Sequence, residues 1–529
     1  MKEPAIEMRM NRRNLTPRFL LPAAALLWCG LTGCVAGPKY HAPATPAPDA
    51  YKESPANAPQ KPQPPAPAPS PAPDPTLGGL GRWTVAQPKD SSLRGKWWEI
   101  YNDPELNALE EQLNIDNQNI KQSFENFMAA RALVMEARAQ YFPVVSTAPS
   151  GSRARSSANA APVGNGATNT LLDLPVTASW EPDLWGKIRN TVRQAKYAAQ
   201  ISAADLEGER LTEQASLATL YFELCGQDAL QQILDETVAA DQKSLDFTRA
   251  QFETGIANQL AVVQAENTLE STQSLATNLG VARAQFEHAI ATLIGKAASD
   301  FSIPAKPLLI TPPPIPLGLP SQLLERRPDI AAAERAMAAA NAQIGIARAA
   351  YFPTLTLSAA GGLESSAWKH LFDWPSRFWS IGPSVSETIF DAGLRRATVH
   401  QFVAAYNADL AAYRQTVLTA FQQVEDALAV LRILTEQIQQ QHAAVESAKM
   451  ALDLEMTRYQ SGLDPYLDVV IEQNTLLAAQ QTLALIEIQR ATASVQLVEA
   501  LGGGWDRSQL PALEELTAQP AKADTALQQ

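Results

Sequence analysis

The sequence has few of the residues on which enzymatic or disulfide chemistry depends. Its 529 residues include three cysteines, at positions 29, 34 and 225, and the first two lie in or beside an N-terminal apolar segment. No disulfide framework is therefore available. The five histidines are scattered without a paired helical spacing for a metal, and the chain has neither a Gly-x-Ser-x-Gly elbow nor a phosphate-binding glycine loop. We expect no catalytic site, no bound metal and no dissociable cofactor.

The chain also lacks a basic cluster and a long apolar run. Its formal net charge is −13, and no nucleic-acid partner is expected because phosphate binding needs a basic face. After residue 34 no stretch offers about 18 uninterrupted apolar residues, so no transmembrane helix is predicted. If such a chain crosses a bilayer, it must do so as a closed barrel of strands, because open sheet edges cannot be satisfied in lipid.

The N-terminus does contain a targeting signal. Arg12, Arg13 and Arg18 precede an apolar run that ends in Leu31-Thr-Gly-Cys34. This order predicts a secretory signal over residues 1–33. The last four residues resemble a bacterial lipobox, which implies a covalent lipid on Cys34 and sorting to the outer membrane. The alternative is a plain secretory signal with an incidental cysteine. Residues 34–80 are then the lipid anchor and a stiff, proline-rich linker.

A stretch that occurs twice organises the rest of the chain. Residues Gly255–Leu269 and Gly462–Leu476 share their apolar positions at an offset of 207 residues (462 − 255). In each copy a proline-free helical run reaches the glycine and a second one leaves soon after, which predicts two long helical hairpins with tips at 255–259 and 462–466. The predicted divisions are a first repeat over 81–310, a second repeat over 311–510 and a C-terminal tail over 511–529.

The sequence of each repeat also predicts a helix followed by a β-hairpin. A helix over 103–142, with its first residue as the N-cap, ends before Pro143, and the second repeat has the same Tyr-Phe-Pro ending at Pro353. After each proline the apolar period changes to alternation, which predicts hairpins over about 144–180 and 354–390. The predicted strands are 144–150, 172–180, 355–359 and 379–389.

The predicted connections within the two hairpins differ in composition. Residues 151–170 are rich in small polar residues, whereas residues 361–378 carry two tryptophans and two phenylalanines. Aromatic residues at the ends of apolar strands indicate an interfacial girdle. A buried aromatic core is the alternative.

The run that leads to each tip is unusually long. Residues 187–254 contain no proline, and as one helix they would span about 100 Å. In both copies, positions spaced by seven residues are apolar with a single exception, which predicts a coiled-coil seam. The seam positions are Leu217, Leu224, Gln231, Val238, Leu245 and Phe252 in the first copy and Val424, Leu431, Ile438, Val445, Leu452 and Tyr459 in the second.

Three motifs resemble those of the TolC-like outer-membrane efflux channels, in the lipid-anchored OprM/NodT-type branch. They are Leu323–Ile330 between the repeats, Trp180–Gly186 after the second strand and Ile389–Arg396 after the fourth. The resemblance implies a mostly α chain with a membrane β-barrel. Specifically, it implies a homotrimer in which four strands per chain give a twelve-stranded barrel, continued by a long α-helical coiled-coil barrel.

The resemblance also implies partners and a function. The partners are further copies of the chain, a periplasmic adaptor protein, an inner-membrane pump and outer-membrane lipid, and the function is a passive conduit that exports drugs or other small toxic compounds. Independently, four strands are too few to close a membrane barrel, for which about eight is the minimum. The alternatives are a type I protein-secretion conduit of the same fold and a periplasmic structural lipoprotein without a pore.

The two hairpin tips differ in charge. Asp464, Asp468 and Glu472 are spaced by four, which would place three carboxylates along one helical stripe, whereas the first repeat has alanine at all three positions. We predict a periplasmic gate in which threefold symmetry gathers these carboxylates into rings that favour cations. Asp468 matches an aspartate of the family's acidic aperture, but Ile471 stands where the next one is expected. The alternative is an ordinary solvated helix face.

The tips are also the candidate docking surface for the adaptor. Glycine at the start of each tip permits backbone conformations that a side chain would oppose, and a plain connecting turn is compatible with this role. The predicted docking residues are Gly255, Ile256, Ala257 and Asn258 in the first tip and Gly462, Leu463, Asp464 and Pro465 in the second.

Two features with reactive side chains are assigned structural roles. Arg326 and Arg327 precede Pro328 and Asp329, which suit a helix start, and we predict that the arginines brace the fold rather than contact substrate. Cys225 lies in a helical run and is predicted to pack as a small apolar residue.

Overall fold

The computed structural model describes residues 37–43, 48, 51–53, 95–159, 166–307, 312, 315 and 320–517. The predicted signal, Cys34 and most of the proline-rich linker lie outside the described residues. The helices are α1 (Pro104–Asp116), α2 (Gln118–Ala139), α3 (Lys187–Glu253), α4 (Gln259–Leu293), α5 (Pro320–Arg326), α6 (Pro328–Ala349), α7 (Leu394–Gln460) and α8 (Tyr466–Ala500). The strands are β1 (Val144–Thr147), β2 (Ser150–Arg155), β3 (Thr168–Trp180), β4 (Thr354–Ser365) and β5 (Arg377–Ser386).

The chain divides into two compact units, and each draws residues from both repeats. The sheet unit contains Ala132–Tyr197, Ala338–Ala408 and the described residues up to His41. The helical unit contains Ala198–Met337, the described residues from Asp409 onward and those between 42 and 131. Structural unit and sequence repeat are therefore different divisions of the chain.

The repeat is visible in the lengths of the helices. α3 and α7 each contain 67 residues and begin 207 positions apart, and α4 and α8 each contain 35 residues at the same offset. α2 and α6 each contain 22 residues, at an offset of 210. The four long helices, α3, α4, α7 and α8, contain no proline, which would remove a backbone donor and clash with the preceding turn. The chain thus folds the same long helical hairpin twice.

The first predicted helix is interrupted. α1 ends at Asp116 and α2 begins at Gln118, because Asn117 has an extended backbone with ψ 127°. Its side-chain Oδ1 accepts hydrogen bonds from the N–H groups two and three residues ahead, at 2.9 and 3.0 Å, as a helix N-cap does. The predicted cap at Asp103 is confirmed. The prediction of one continuous helix over 103–142 is wrong, since a capping asparagine starts a second helix.

The strand segments form one antiparallel sheet in the order β1-β3-β4-β5, with β2 also paired to β3. β1 and β2 occupy one strand position of the sheet, which we call a lane. The register in which Val144 pairs with Ser179 continues into β2. The interruption falls at Pro149, close to Pro175 on β3, and prolines cannot donate hydrogen bonds to the ladder. The sheet therefore has four lanes per chain, as predicted.

The strands reach further into the connections than predicted. β2 continues to Arg155 and β3 begins at Thr168, although residues 151–170 were expected to connect the strands. β4 continues to Ser365 and not only to residue 359, while β5 ends at Ser386, three residues before its predicted end. Serine and glycine lower the strand propensity of these segments, but backbone pairing with a neighbouring strand overrides a weak propensity.

The two faces of the sheet differ in polarity, and the register assigns each residue to a face because paired residues share one. The apolar face carries Val145, Leu172, Leu174, Val176, Leu357, Leu363, Trp379, Ile381 and Val385. The polar face carries mostly small and hydroxyl side chains, among them Ser146, Thr177, Ser179, Thr356, Ser358, Ser380 and Ser384. Trp379 and Ile381 are 80% and 76% exposed, so the apolar face is open in the single chain.

The helical unit is held by an apolar core between the long helices. Its largest fully buried side chains include Trp97, Tyr221 and Phe222. Of the predicted seam positions, those buried are Leu217, Leu224, Leu245, Val424, Ile438 and Tyr459. Phe252 departs from the prediction because it lies one residue before the end of α3, where it is 46% exposed.

Arg327 and Cys225 have the structural roles that the sequence predicts. The buried guanidinium of Arg327 donates to both carboxylate oxygens of Asp329 at 3.0 and 2.7 Å, to Gln423 at 2.8 Å and to the carbonyl oxygen of Ala500 at 2.9 Å. Cys225 is buried, and burial raises the pKa of its thiol to about 12. The thiol is therefore protonated and unreactive at neutral pH.

Glu110 on α1 is a fully buried carboxyl group. Neither of its side-chain oxygens has a hydrogen-bonding partner among the described residues. Burial raises the pKa of Glu110 well above its usual range, because a dry interior disfavours the charged form. A folded-state pKa above the unfolded value means that stability is greatest below the unfolded pKa and falls as the pH rises toward the folded pKa.

We predict that Glu110→Gln raises the unfolding midpoint at about pH 8 and leaves it nearly unchanged at about pH 4, because glutamine keeps the volume and removes the ionisation. The gain is up to about 1.4 kcal/mol for each pH unit between the two pKa values. Thermal unfolding followed by circular dichroism measures it. The matched control is Glu111→Gln, since Glu111 is exposed and pairs with Lys96. Equal responses of the two variants would contradict the prediction.

Candidate functional site

The two helical hairpins turn through the same backbone conformation. The φ angles of Gly255 and Gly462 are +76° and +73°. Each glycine N–H bonds the carbonyl oxygen three residues earlier at 2.9 Å, and the next N–H bonds the carbonyl five residues earlier at 2.9 and 3.0 Å. This helix ending requires a left-handed residue, which glycine adopts without steric cost. The turns fall within the predicted tips, 255–259 and 462–466.

The helices that leave the tips begin differently. Asn258 precedes α4, and its Oδ1 accepts a hydrogen bond from the N–H of Ala261 at 2.9 Å, which satisfies one of the free donors at the helix start. Pro465 precedes α8 and has no side chain that can cap it. Asp468 lies in the first turn of α8, where a negative charge interacts favourably with the unpaired N–H groups.

The two tips pack against each other through one apolar cluster. The ring of Tyr459 on α7 lies 5.3 Å from that of Tyr466 on α8 and 6.1 Å from that of Phe247 on α3. Burial raises the pKa of Tyr466 to about 12. The buried members, which we call the tip core, are Leu245, Ala261, Ala265, Leu269, Tyr459, Tyr466 and Val469. This core holds the two turns side by side.

A groove of about 340 Å³, which we call the tip groove, lies between the tips. Six of the eight predicted docking residues line it, namely Ile256, Ala257, Asn258, Gly462, Asp464 and Pro465. Gly255 and Leu463 are not part of the lining, although Leu463 is 70% exposed beside it. The exposed apolar side chains at the tips, which we call the tip patch, are Ile256, Leu260, Val263, Leu463, Leu467 and Ile471.

The predicted stripe of three carboxylates is not formed. α8 begins at Tyr466, so Asp468 and Glu472 lie one turn apart on the helix, whereas Asp464 lies in the turn before it. A spacing of four implies one helical face only if all three residues are helical, and here Pro465 separates Asp464 from the helix. The prediction that Asp464 continues the stripe is therefore wrong.

Asp464 pairs with Arg458 near the end of α7, in a group that we call the tip clamp. The Nη2 of Arg458 donates to Asp464 Oδ1 at 2.9 Å, and its Nε contacts the other carboxylate oxygen and lies 3.9 Å from Glu455. Hydrogen bonding from Arg458 lowers the pKa of Asp464. Burial and the neighbouring carboxylate of Asp464 raise the pKa of Glu455. The clamp thus fixes the second turn to the helix that precedes it.

The two carboxylates that remain on α8 occupy different surroundings from their counterparts in the first repeat. Asp468 and Glu472 are half-buried in the single chain. At the equivalent positions of α4, Ala261 and Ala265 are buried in the tip core. The same helical position therefore faces the core in one hairpin and a more open surface in the other, which is where charged residues are tolerated.

The charged partners of Asp464 were not identified from the sequence. A comparison of the repeats contains the signal, because the residues equivalent to Arg458 and Glu455 are Gln251 and Thr248. Both tip-clamp partners are thus charged only in the repeat that carries the carboxylates. The comparison of acidic positions alone misses them, since they precede the turn.

Two further classes of site are missing from the described ranges. There, no three His, Cys, Asp or Glu side chains converge in a way that could hold a metal ion. None of the helices described is both long and apolar enough to cross a membrane.

Known proteins resemble this chain over most of its length. The model of the family described as Outer membrane efflux protein matches residues 109–296 and 319–503. The antibiotic efflux pump outer membrane protein ArpC of Pseudomonas putida is 32% identical over 480 residues, covering 90% of this chain and 93% of ArpC. The toluene efflux pump outer membrane protein TtgC, also of Pseudomonas putida, is 33% identical over 414 residues, covering 77% of this chain and 85% of TtgC.

A solved structure resembles the chain as well. That of the outer-membrane channel OprN has a TM-score of 0.77 and 28% sequence identity, and the match covers 89% of this chain and 100% of the OprN chain. Sequence and structure therefore point to one family.

Proposed function

Because the chain belongs to the outer membrane efflux protein family, we propose that it forms, as a homotrimer, the outer-membrane conduit of a tripartite efflux pump. The predicted channel fold and outer-membrane location are confirmed by this membership. The single observation that carries the trimeric conduit is the sheet. It has one open apolar face and one polar face, and each outer lane pairs on one side only within the described chain.

The open edges of the sheet support association of several copies. Backbone groups left unpaired in lipid cost several kcal/mol each. If β5 of one copy pairs with the lane of β1 and β2 in the next, no edge remains. Three copies give twelve lanes, an even number above the minimum of about eight for a membrane barrel. The apolar face then contacts lipid and the polar face lines the lumen, which disfavours a structural lipoprotein without a pore.

We propose small toxic compounds as the exported class. ArpC is named for antibiotic efflux and TtgC for toluene efflux, and both names favour small molecules over the secreted polypeptide of a type I conduit. A duct needs no specific pocket, so discrimination is left to the partner pump. That pump, in the inner membrane, supplies the energy for a passive channel.

The gate that we propose is centred on Asp468 and Glu472. Both are half-buried on α8 beside the second tip, and threefold symmetry would convert them into two rings of carboxylates, which favour cations at a constriction. Asp464 takes a different part from the one predicted. Paired with Arg458, it contributes less negative potential and anchors the turn next to the rings.

We predict that reconstituted wild-type protein forms cation-preferring channels and that Asp468→Ala/Glu472→Ala loses the preference, because the rings lose their charge. Reversal potentials in planar bilayers under a salt gradient measure it. Glu270→Ala is the matched control, since Glu270 is an exposed acidic residue on the equivalent helix α4. Unchanged selectivity in the double variant would refute the gate, and absence of any stable conductance from the wild type would refute the conduit.

The tip groove and the tip patch are the surface that we propose for the periplasmic adaptor. Exposed apolar side chains from both repeats lie around one groove there, and apolar anchors in a groove carry most of the energy of many interfaces. Eight residues were predicted to dock. The groove supports six of them, and the exposure of Leu463 supports a seventh.

We predict that Ile256→Asp/Leu463→Asp weakens co-purification with the adaptor by about tenfold or more, as expected when two apolar anchors are lost. Tagged protein is recovered from cells after mild crosslinking, and the adaptor is quantified by mass spectrometry. Met450→Asp is the matched control, because Met450 is 65% exposed on α7 but lies away from the tip. Full adaptor recovery by the double variant would exclude the tips as the docking surface.

We also propose that a lipid on Cys34 anchors the mature chain, since the preceding residues resemble a lipobox. Cells labelled with radioactive palmitate should incorporate label into the wild-type chain and none into Cys34→Ser. Cys225→Ser is the control, because that buried thiol should not affect labelling. Equal labelling of wild type and Cys34→Ser would contradict the lipid anchor. It would not contradict the proposed conduit, because a β-barrel can cross a membrane without a covalently attached lipid.

A further inference from the structure

The charged residues of the strands are separated by sign between the two faces of the sheet. The register places three arginines on the apolar face. Arg377 pairs with Leu363 of that face. Arg153 and Arg155 lie two and four residues after Gly151, which pairs with Leu172 of the same face, and residues two apart on a strand share a face. The register places Asp173 and Glu364 on the polar face, directly opposite each other on β3 and β4. These five are the charged residues of β1 to β5. All the basic side chains therefore share one face and all the acidic ones share the other.

The three arginines also lie at one end of the sheet. Arg153 and Arg155 are near the end of β2, and Arg377 begins β5, so all three adjoin the connections that join the strands away from the flanking helices. All three are exposed, and none forms a salt bridge with another residue of the described chain. Unpaired guanidinium groups beside an apolar surface are suited to binding an anion in a bidentate manner.

The β4–β5 connection adds exposed aromatic residues at the same end. Trp368, Phe372 and Trp374 are 72%, 74% and 74% exposed, so they do not form the buried aromatic core that was the alternative to a girdle. The guanidinium of Arg377 stacks on Trp374 at 3.4 Å from the ring centroid. Tryptophan beside an apolar band is typical of the boundary between lipid tails and headgroups.

We infer that these residues, which we call the outer belt, bind the phosphate groups of a phosphorylated glycolipid in the outer leaflet of the outer membrane. The belt consists of Arg153, Arg155, Trp368, Phe372, Trp374 and Arg377. This inference rests on the proposed function, since the apolar face must contact lipid. Phosphate supplies the charge that complements the arginines, and acyl chains supply the partner for the apolar face below them.

The polar face argues against a soluble anion as the occupant. Among the charged residues of the strands, an anion in the lumen at this level meets the carboxylates of Asp173 and Glu364, whereas an anion on the lipid side meets arginines. A phosphate tied to acyl chains reaches the lipid side and is held there. A free phosphate gains nothing from the apolar face and the exposed aromatic rings.

The test uses the full-length protein in detergent and diphosphorylated lipid A as the probe, with bound lipid per trimer measured by native mass spectrometry. Arg153→Gln/Arg155→Gln/Arg377→Gln should bind about a hundredfold more weakly, since each basic residue at an anionic lipid surface contributes roughly fivefold. Lipid A without phosphates should bind the wild type as weakly. Asp173→Asn/Glu364→Gln is the matched control, because it removes charges at the same level on the opposite face, and it should bind at least as well as wild type.

The outcomes separate this inference from the proposed conduit. The triple variant should still conduct in planar bilayers, which shows that it is folded. If it gives no channel, Arg153→Gln/Arg155→Gln replaces it, because that variant retains the Arg377–Trp374 stack. Undiminished lipid A binding by a conducting variant overturns the outer belt while leaving the conduit intact. Equal binding of phosphatidylglycerol, or displacement of lipid A by millimolar inorganic phosphate, overturns the assignment to a glycolipid.

Discussion

Unpaired backbone groups at the two edges of the four-lane sheet are the constraint on which the rest of the molecule depends. A chain that stayed alone would present two rows of free N–H and C=O groups beside an open apolar face, a combination that invites pairing. Closure with further copies, as proposed above, satisfies the edges. In the proposed trimer each carboxylate at the tips is repeated once per copy, which the proposed gate requires.

The duplicated hairpin shows which features are shared by the two copies and which differ. Length, offset and the left-handed glycine are the same in both, because the apolar frame and the turn define the hairpin. Several of the differences lie at the tips. Ala265 is buried whereas Glu472 is half-buried, and a capping asparagine in one tip is a proline in the other. Each hairpin keeps one shape but presents a different chemistry.

Features set by periodicity could be predicted from the sequence, and features set by a single side chain could not. The ends of α3 and α7 follow from proline-free runs that stop at a glycine, and these are strong local signals. Asn117 looks like any helical residue until its side chain is seen to cap the next helix. Asp464 has helical spacing from Asp468, but its partner Arg458 lies across a turn. An ion pair of that kind depends on the fold and produces no periodic pattern in the sequence.

The separation of charge across the sheet bears on the register as well as on lipid. Alternation has a period of two, so a slip of one residue exchanges the faces of a strand. A slip of β3 or β4 would move Asp173 or Glu364 to the lipid side, and a slip of β2 would move both of its arginines into the lumen. Much of the polar face is serine, alanine and glycine, which by themselves oppose such a slip weakly. Charges of opposite sign on opposite faces add a cost that those small residues cannot provide, because a carboxylate moved from the aqueous lumen to the lipid side loses part of its hydration.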